Sequence, residues 1–373
     1  MSSTKKLFRL KNPYDTKASN GLFLEAAREN CSFHYKNCAE YRKILKGEGF
    51  SPNKLRFYSD IAEIPPVPTL FLKKHKLYSM PKRKMLIKAT SSGTSGNFSE
   101  IGFEAEGLLN GLAMVLNVAS KRGLLSPVPC NYIIFGYRPH KSNKTAIAKT
   151  AYGYTFFAPA LSRTFALKYS NGKYSPDLEG IVKAIVKYSH SKFPMRFIGF
   201  PSYTYFVMKM MDDRGIKVKM PPRSVIMLGG GWKQFYKEQV DKKEFYALAK
   251  KVLGIDEEYI IEAFGAAEHP ILYLDCKNHH FHIPVYSRVI IRDVNTLKPL
   301  PKGQAGLVNL VTPMIKATPI LSIMTDDLGV LHDGKECGCG ISSPYLEIVG
   351  RVGLKDIKTC AAGAAEILKE AGK

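Results

Sequence analysis

The sequence lacks any run of about 18 or more apolar residues, the length that a helix needs to cross a bilayer. Its most apolar stretch, Gly107 to Ala119, is interrupted by Asn110 and Asn117. The N-terminus is basic, but the apolar segment that completes a secretory signal does not follow it. Repeats and low-complexity segments are absent as well. We therefore expect a cytoplasmic protein with no transmembrane segment.

Acidic residues are few, since 32 Asp and Glu stand against 55 Lys and Arg and give the 373-residue chain a net charge of +23. Such a balance suggests polyanionic partners, namely nucleotide phosphates, nucleic acid or an anionic membrane surface. The basic excess is spread along the chain, however, and no RNA- or DNA-binding motif accompanies it. A charged, solvated surface explains it more simply, and we expect no nucleic-acid partner.

The cysteines number seven, an odd count in a chain far larger than a disulfide-stapled scaffold. They are expected to be free or metal-bound thiols in a reducing compartment. Hydrophobic residues make up 45% of the chain, which is enough to bury a sizeable core and excludes disorder as the dominant state.

Short apolar runs alternate with longer helix-like segments over much of the chain. This alternation is typical of an α/β architecture with a mostly parallel sheet. The predicted strands are Met85–Ile87, Tyr132–Phe135, Phe197–Gly199, Val225–Leu228 and Tyr259–Phe264, and the predicted helices are Leu108–Val118, Leu178–Tyr188, Tyr203–Met211 and Lys233–Val252.

Four segments are predicted along the chain. Residues 1–62 form a helical N-terminal segment, because apolar residues recur there at helical spacing before a proline-rich connector. Residues 63–284 form the α/β core. Residues 285–349 form a β-rich subdomain, and residues 350–373 form a short Lys-rich tail. The strands predicted for the subdomain are Tyr286–Arg292, Gly306–Thr312 and Ile320–Met324.

The clearest local signal is the segment Thr90–Asn97, which reads TSSGTSGN and follows an apolar run. Glycines interleaved with hydroxyl side chains let backbone N–H groups converge on phosphate oxygens. The basic run Pro81–Lys88 beside it adds positive potential. The spacing is not that of the P-loop, and by itself the segment is also compatible with an ordinary turn.

Three more short segments follow predicted strands, namely FGAAE at Phe264–Glu268, TDDLG at Thr325–Gly329 and Gly350-Arg351. In this order and at these spacings, the four segments resemble the signature of the adenylate-forming superfamily. The resemblance implies that family's N-terminal domain, with mostly parallel sheets flanked by helices and a small β subdomain that completes the nucleotide site. Asp326 departs from the family pattern, which usually has Gly at this position.

Further segments resemble narrower branches of the superfamily. Ile198–Tyr203, Gly229–Trp232 and Cys337–Gly340 are similar to the phenylacetate–CoA ligases. The N-terminal half is more similar to the acyl-protein synthetases of bioluminescent bacteria, the LuxE type. That likeness rests on Asn30–Cys38, on Ile64–Pro68 with Leu70 and Phe71, and on the Ser/Thr/Gly loop.

The LuxE-type resemblance implies an ATP- and Mg²⁺-dependent enzyme that activates a long-chain fatty acid as acyl-AMP. It also implies transfer of the acyl group to an enzyme cysteine and delivery to a partner protein such as a fatty-acyl reductase. The alternative is an acyl- or aryl-CoA ligase of the phenylacetate type, in which free CoA is the acceptor.

The same resemblance implies a role for each matching residue. The Ser/Thr/Gly loop would hold the β- and γ-phosphates of ATP, Glu268 would ligate Mg²⁺, and Asp327 would accept hydrogen bonds from the ribose hydroxyls. The glycines and Phe264 would line the adenine pocket, and Arg351 would contact the nucleotide or hinge the tail. The nucleotide-binding residues implied in this way are Ser91, Ser92, Gly93, Thr94, Ser95, Gly96, Gly229, Gly230, Gly231, Phe264, Gly265, Ala266, Glu268, Asp327 and Arg351.

The tail suggests which thiol accepts the acyl group. Acyl-CoA synthetases of this superfamily continue with a full domain after the Gly-Arg element, whereas 22 residues follow Arg351, so this C-terminal domain is expected to be truncated. LuxE-type enzymes carry an acyl-accepting cysteine near the C-terminus, which Cys360 matches. Lys355, Lys358 and the start of the following predicted helix would lower its pKa. Lys358 is also the candidate for the missing adenylation lysine; a small packed side chain is the other interpretation of Cys360.

Cys276, His282, Cys337 and Cys339 form a set of residue types suited to tetrahedral zinc. They lie far apart in sequence, and a Cys-x-Cys pair is less diagnostic than Cys-x₂-Cys. His279 and His280 are alternatives to His282, and surface positions for all three are the other interpretation.

Overall fold

A computed structural model describes residues 1–91, 98–141, 143, 145–232, 235 and 238–351 of the chain. The chain forms two compact units. The first unit comprises Met1–Val118 together with the chain from Gly265 onwards, and the second comprises Ala119–Phe264. The division into four segments stays a prediction, because these two units are defined by compactness rather than by role.

Helices and strands alternate as the α/β prediction requires. The helices of the described residues are α1 (Ser3–Leu7), α2 (Asn20–Asn37), α3 (Ala39–Gly47), α4 (Thr69–Lys74), α5 (Ala105–Lys121), α6 (Ala146–Tyr154), α7 (Leu178–Ser189), α8 (Pro201–Asp213) and α9 (Lys242–Leu253). The strands are β1 (Val67–Pro68), β2 (Ile87–Thr90), β3 (Glu100–Phe103), β4 (Cys130–Tyr137), β5 (Ala160–Ser170), β6 (Lys173–Pro176), β7 (Met195–Gly199), β8 (Val225–Gly229), β9 (Ile260–Ala266), β10 (His269–Leu274), β11 (Phe281–His282), β12 (Arg288–Arg292), β13 (Ala305–Val311), β14 (Ser322–His332) and β15 (Tyr345–Arg351).

The first unit contains an antiparallel sheet in the order β11-β15-β14-β13-β12, and β1 pairs with β14 in parallel. The N-terminal helices pack on this sheet through Arg288 of β12, whose guanidinium lies 4.1 Å from the centre of the Phe23 ring. The same guanidinium donates to the Tyr58 hydroxyl and to the Asn20 side chain. A buried charge needs such a complete set of partners, so these bonds fix the helices to the sheet.

In the second unit the strands follow the order β9-β8-β7-β4-β5-β6, and every pair except β5–β6 is parallel. Helices α7, α8 and α9 contribute apolar side chains to the core of this sheet, among them Ile185, Val207 and Phe245. Gly199 ends β7 with φ of 140°, and a Cβ there would lie 2.3 Å from the Phe135 carbonyl oxygen. Parallel sheets place ligand-binding loops at the carboxyl ends of their strands, the end at which Gly199 and Gly229 lie.

Most elements differ from their predicted bounds by a few residues, and two differ by more. The predicted helix Lys233–Val252 begins only at Lys242, because Asp241 caps its N-terminus by accepting from the Lys243 N–H. The predicted strand Ile320–Met324 continues to His332, because β13 and β15 pair with it on both sides. The segment TDDLG therefore lies within a strand rather than after it. The α/β fold class is confirmed.

Within the described residues, no helix combines the length and the apolar character needed to cross a bilayer.

Candidate functional site

The strands that flank the Ser/Thr/Gly loop in sequence form a β-hairpin in the first unit. Strands β2 and β3 pair antiparallel, with Thr90 opposite Glu100. At the base of the loop, the Ser91 N–H donates to the Ser99 carbonyl at 3.1 Å and the Ser99 N–H donates to the Ser91 hydroxyl at 3.0 Å. These two bonds fix where the loop leaves and rejoins the hairpin. Of the predicted phosphate-binding residues, Ser91 lies at this base, while Ser92, Gly93, Thr94, Ser95 and Gly96 lie outside the described residues.

The hairpin is anchored to the segment between β13 and β14. The Gly102 N–H donates to the Thr318 hydroxyl at 2.9 Å. The buried Glu104 carboxylate accepts the N–H groups of Lys316 and Ala317 at 2.8 and 2.9 Å. Because charge-assisted bonds of this kind are strong, the base of the loop has a defined position in the first unit.

Glu268 lies between β9 and β10 and is 5% exposed. Its Oε1 accepts a hydrogen bond from the Ser99 hydroxyl, although the two residues are 169 positions apart in sequence. The FGAAE element and the Ser/Thr/Gly loop base are therefore in direct contact. One hydrogen bond leaves the carboxylate with further lone pairs for a cation, since each carboxylate oxygen offers two.

Asp326 and Asp327 lie in β14, and Arg351 ends the neighbouring strand β15 opposite Asp327. The Arg351 guanidinium lies 3.6 Å from Asp327 through Nε and 3.9 Å from Asp326 through Nη2. The Asp327 N–H also donates to the Thr325 hydroxyl at 3.2 Å. The pairing of the two strands thus brings the predicted ribose-binding and hinge residues together.

Two further residues contact Asp326 and were not predicted from the sequence. Thr69 and Lys73 lie on α4, and their side chains contact Asp326 at 3.3 Å and 3.9 Å respectively. Strand β1 pairs with β14 immediately before this helix, with Pro68 opposite Met324, and so positions α4 beside Asp326. The proline-rich connector before Thr69 was the available signal, since it fixes where the helix begins.

The charge state of Asp327 depends on its surroundings. Burial raises the pKa of the Asp327 carboxyl above its ordinary value, and the negative charges of Asp326 and Glu268 raise it further. Arg351 opposes this increase but does not cancel it. The ionised form, which is the better acceptor for ribose hydroxyls, therefore carries a cost in free energy of folding.

Asp327→Asn is expected to raise the melting temperature at neutral pH while weakening ATP binding. A raised folded-state pKa means that ionisation destabilises the fold as pH rises through the Asp range, and this cost is absent in the acid range where the group is protonated. The difference in melting temperature between variant and wild type should therefore shrink as pH falls. Thermal melts at two pH values and ATP titration calorimetry measure both effects.

Asp212→Asn is the matched control, because its ion pair with Lys251 lowers the pKa of the Asp212 carboxyl. This variant should not gain stability at neutral pH, and ATP affinity should stay unchanged. Equal melting behaviour of the two variants would contradict the assignment of a charge cost to Asp327.

The predicted adenine-binding residues occur at the carboxyl ends of adjacent strands. Gly229 ends β8 and lies opposite Ala263 of β9, and Phe264 follows on that strand, half-buried. Gly230 and Gly231 continue from β8 with φ of 81° and 65°, a conformation that other residues rarely adopt. Gly265 and Ala266 complete β9 and begin the chain's return to the first unit. Gly229 is therefore paired with the residue that precedes Phe264, and Gly230 and Gly231 follow it in the chain.

The predicted zinc ligands come together in the first unit. Ligand atoms of Cys276, His282, Cys337 and Cys339 all lie within 4.8 Å of one another. The predicted tail residues Lys358 and Cys360 lie outside the described residues.

Comparison with known proteins gives concordant matches. A family model described as "Acyl-protein synthetase, LuxE" matches residues 11–369. The long-chain-fatty-acid–luciferin-component ligases of Aliivibrio fischeri and Vibrio harveyi are 27% and 24% identical over 92% and 90% of this chain, which correspond to 88% and 85% of theirs. A phenylacetate-coenzyme A ligase of Thermus thermophilus is 23% identical over 85% of this chain and 66% of its own length.

Among solved structures, an open conformation of 2-hydroxyisobutyryl-CoA ligase superimposes with a TM-score of 0.70 at 15% identity. The match covers 92% of this chain and 77% of that protein. At this identity the match shows a shared fold, and it agrees with the predicted adenylate-forming architecture.

Proposed function

Because the chain belongs to the acyl-protein synthetase (LuxE) family, we propose that it uses ATP to activate a long-chain fatty acid as acyl-AMP. The acyl group then passes to the Cys360 thiol. From there it is delivered to an acyl-accepting partner protein of the fatty-acyl reductase type. This proposal extends to the chain what the names of its two ligase relatives say of those proteins.

The hydrogen bond from Ser99 to Glu268 carries the proposal. It joins the base of a loop suited to phosphate oxygens to a buried carboxylate suited to Mg²⁺. The TDDLG segment supports the proposal as well, since the negative charge of Glu268 contributes to the raised pKa of the Asp327 carboxyl. An ATP–Mg²⁺ complex needs this combination of backbone donors, a hard oxygen ligand and a ribose acceptor.

The donor set fits Mg²⁺, because carboxylate and phosphate oxygens are its preferred ligands. Glu268 would hold the ion, which when bound offsets phosphate charge. Asp327 accepts from the ribose hydroxyls, and the Arg351 and Lys73 cations lie beside Asp326, where they attract the nucleotide's anionic groups. These residues position the nucleotide and offset charge; none of them forms a covalent bond to it.

The proposed reaction has two steps, adenylation of the fatty acid and transfer of its acyl group to the thiol. The fatty-acid carboxylate oxygen attacks the α-phosphorus, the bond to the β-phosphate oxygen breaks, and pyrophosphate leaves. The Cys360 thiolate then attacks the acyl carbon, the carbon–oxygen bond to AMP breaks, and AMP leaves with that bonding pair. The thioester retains the acyl group until the partner's nucleophile displaces it.

The other cysteines are poor candidates for the acceptor. Burial raises the pKa of the Cys31 thiol to about 12, and it also raises the pKa values of the Cys38 and Cys130 thiols. A thiol held protonated inside the protein is a weak nucleophile. The remaining described cysteines, Cys276, Cys337 and Cys339, lie together in one cluster. The family resemblance favours Cys360 as the acceptor, and so do the surroundings of the other six cysteines.

The proposal is tested by incubating the purified protein with ATP, Mg²⁺ and radiolabelled tetradecanoic acid. We expect pyrophosphate release and label on the polypeptide that neutral hydroxylamine removes, as it does for a thioester. A reaction without ATP is the control and should give no label. Acyl-CoA formed after CoA addition, with no label on the protein, would replace the proposal with a CoA ligase. Absence of pyrophosphate, label and acyl-CoA would overturn the long-chain acid as substrate.

A further inference from the structure

The Cys/His cluster is built where the connection from β10 to β11 meets the connection from β14 to β15. Cys276 follows β10, and His282 is the last residue of β11. Cys337 ends a short 3₁₀ turn between β14 and β15, and Cys339 follows it. Because β11 pairs with β15, with His282 opposite Tyr345, the sheet itself brings the two connections together. The four side chains therefore meet through backbone pairing rather than through a flexible loop.

We propose that Cys276, His282, Cys337 and Cys339 bind one Zn²⁺ ion that holds these two connections together. Zinc–sulfur bonds of about 2.3 Å in a tetrahedron give edges of about 3.8 Å between sulfur ligands. The Cys276 and Cys337 sulfurs are 3.5 Å apart, and the Cys339 sulfur is 3.2 Å from His282 Nε2. These two separations are close to the edges of such a tetrahedron, and all four ligand atoms lie within 4.8 Å of one another.

The imidazole of His282 is oriented for this role. Its Nδ1 donates to the Ser343 carbonyl oxygen at 2.7 Å, which places the proton on Nδ1 and leaves the Nε2 lone pair directed at Cys339. Metal-binding histidines commonly donate their second ring N–H to a carbonyl in this way. His282 is also 1% exposed, so water does not compete for Nε2.

Backbone N–H groups point at two of the sulfurs. The Asn278 N–H donates to Cys276 at 3.4 Å, and the Ile341 N–H donates to Cys339 at 3.4 Å. Three thiolates and one neutral imidazole around Zn²⁺ leave a net charge of −1, which such donors stabilise. On binding, the three thiols release their protons to solvent, so zinc affinity rises with pH.

Glycines shape the turn that carries the last two sulfurs. Gly338 and Gly340 have φ of 70° and 93°, in the left-handed region that favours glycine. Gly338 therefore reverses the chain between Cys337 and Cys339, which lets both side chains point to the same side.

The neighbouring histidines have other contacts. The His279 ring lies 2.7 Å from the Asp275 carboxylate, and His280 stacks on Tyr345 with ring centres 4.3 Å apart. His280 Nδ1 also lies 3.1 Å from the Cys337 sulfur, which makes it the strongest competitor for the fourth position. The proposal assigns that position to His282 and leaves His280 as a supporting contact.

The ion would also act on the strands that carry the candidate nucleotide site. The 3₁₀ turn with Cys337 connects β14 to β15, which bear Asp327 and Arg351. Fixing that connection restricts how far the two strands separate. We therefore expect zinc loss to lower the melting temperature of the protein.

Metal content measured by mass spectrometry tests the proposal on the full chain. Wild type purified without chelator should hold about one zinc per chain. Cys339→Ser and His282→Gln should each lose most of it. His280→Gln and Cys130→Ser are the matched controls and should retain it, because His280 is placed outside the ligand set and Cys130 bonds elsewhere, to the Val128 carbonyl.

Cobalt substitution keeps the test decisive if the variants fail to fold. Zinc is removed from the wild-type protein with a chelator, and Co²⁺ is added under reducing conditions. We expect the absorption bands of tetrahedral cobalt with thiolate ligands, at one Co²⁺ per chain. Wild type that holds neither zinc nor tetrahedral cobalt would overturn the proposal, as would a Cys276–Cys337 disulfide found by peptide mapping of the native protein. Zinc lost from His280→Gln but kept by His282→Gln would overturn the ligand assignment.

Discussion

Cys360→Ser is expected to abolish thioester labelling of the protein by radiolabelled fatty acid while leaving pyrophosphate release intact. Serine has nearly the same size, but its hydroxyl does not ionise near neutral pH, so the acyl carbon meets no competent nucleophile. Adenylation precedes this step and relies on other residues, so it continues. The measurement is label that neutral hydroxylamine removes, compared with pyrophosphate release in the same reaction.

Cys38→Ser is the control, because it removes a buried thiol with a hydrogen bond to Glu40 rather than a proposed acceptor. It should label like wild type. Full hydroxylamine-sensitive labelling of Cys360→Ser would move the acceptor to another residue. Loss of pyrophosphate release in that variant would instead place Cys360, or the tail around it, in the adenylation step.

Glu268→Gln should reduce ATP–pyrophosphate exchange by about 100-fold, equivalent to about 2.7 kcal/mol of transition-state stabilisation. Glutamine has the same shape and keeps an oxygen that accepts from the Ser99 hydroxyl, so the contact with the loop base survives. What it removes is the negative charge that would hold Mg²⁺ beside the phosphates. The exchange rate is therefore expected to fall, and the Mg²⁺ concentration needed for half-maximal exchange is expected to rise.

Glu258→Gln makes the same chemical change at an exposed position of the second unit and should leave exchange unaltered. Thermal melts establish that both variants fold. Wild-type exchange in Glu268→Gln, at an unchanged Mg²⁺ requirement, would contradict a metal-binding role and leave Glu268 with only its bond to Ser99.

The short motifs could be recognised in the sequence because their chemistry depends on residue types close together in the chain. Glycines beside hydroxyls, a glutamate after an apolar strand and a Gly-Arg pair are local features, and their order along the chain was sufficient for the family resemblance. The helices also followed from local patterns, since apolar spacing is a short-range signal. The predicted start at Lys233 was wrong, because α9 begins at Lys242 and Asp241 was not recognised as its cap.

Contacts between distant segments could not be predicted in the same way. Thr69 reaches Asp326 across 257 positions, and only the pairing of β1 with β14 brings them together. The extension of β14 through Asp327 likewise depends on two neighbouring strands, because a polar segment such as TDD has little strand propensity of its own. Neighbouring strands therefore stabilise a strand conformation that the residues of the segment do not favour by themselves.

The Cys/His cluster shows most clearly the difference between local sequence information and contacts made across the fold. The residue types, three cysteines and a choice of histidines, are local information, and they already indicate tetrahedral zinc chemistry. Under the zinc proposal, the contacts made in the folded protein favour His282 over His279 and His280 as the fourth ligand. His282 lies on β11 with its Nδ1 bonded to Ser343, whereas His279 bonds to Asp275 and His280 stacks on Tyr345. A residue's chemical capacity belongs to its side chain, but the direction of its lone pair depends on strand pairing and on hydrogen bonds made across the fold.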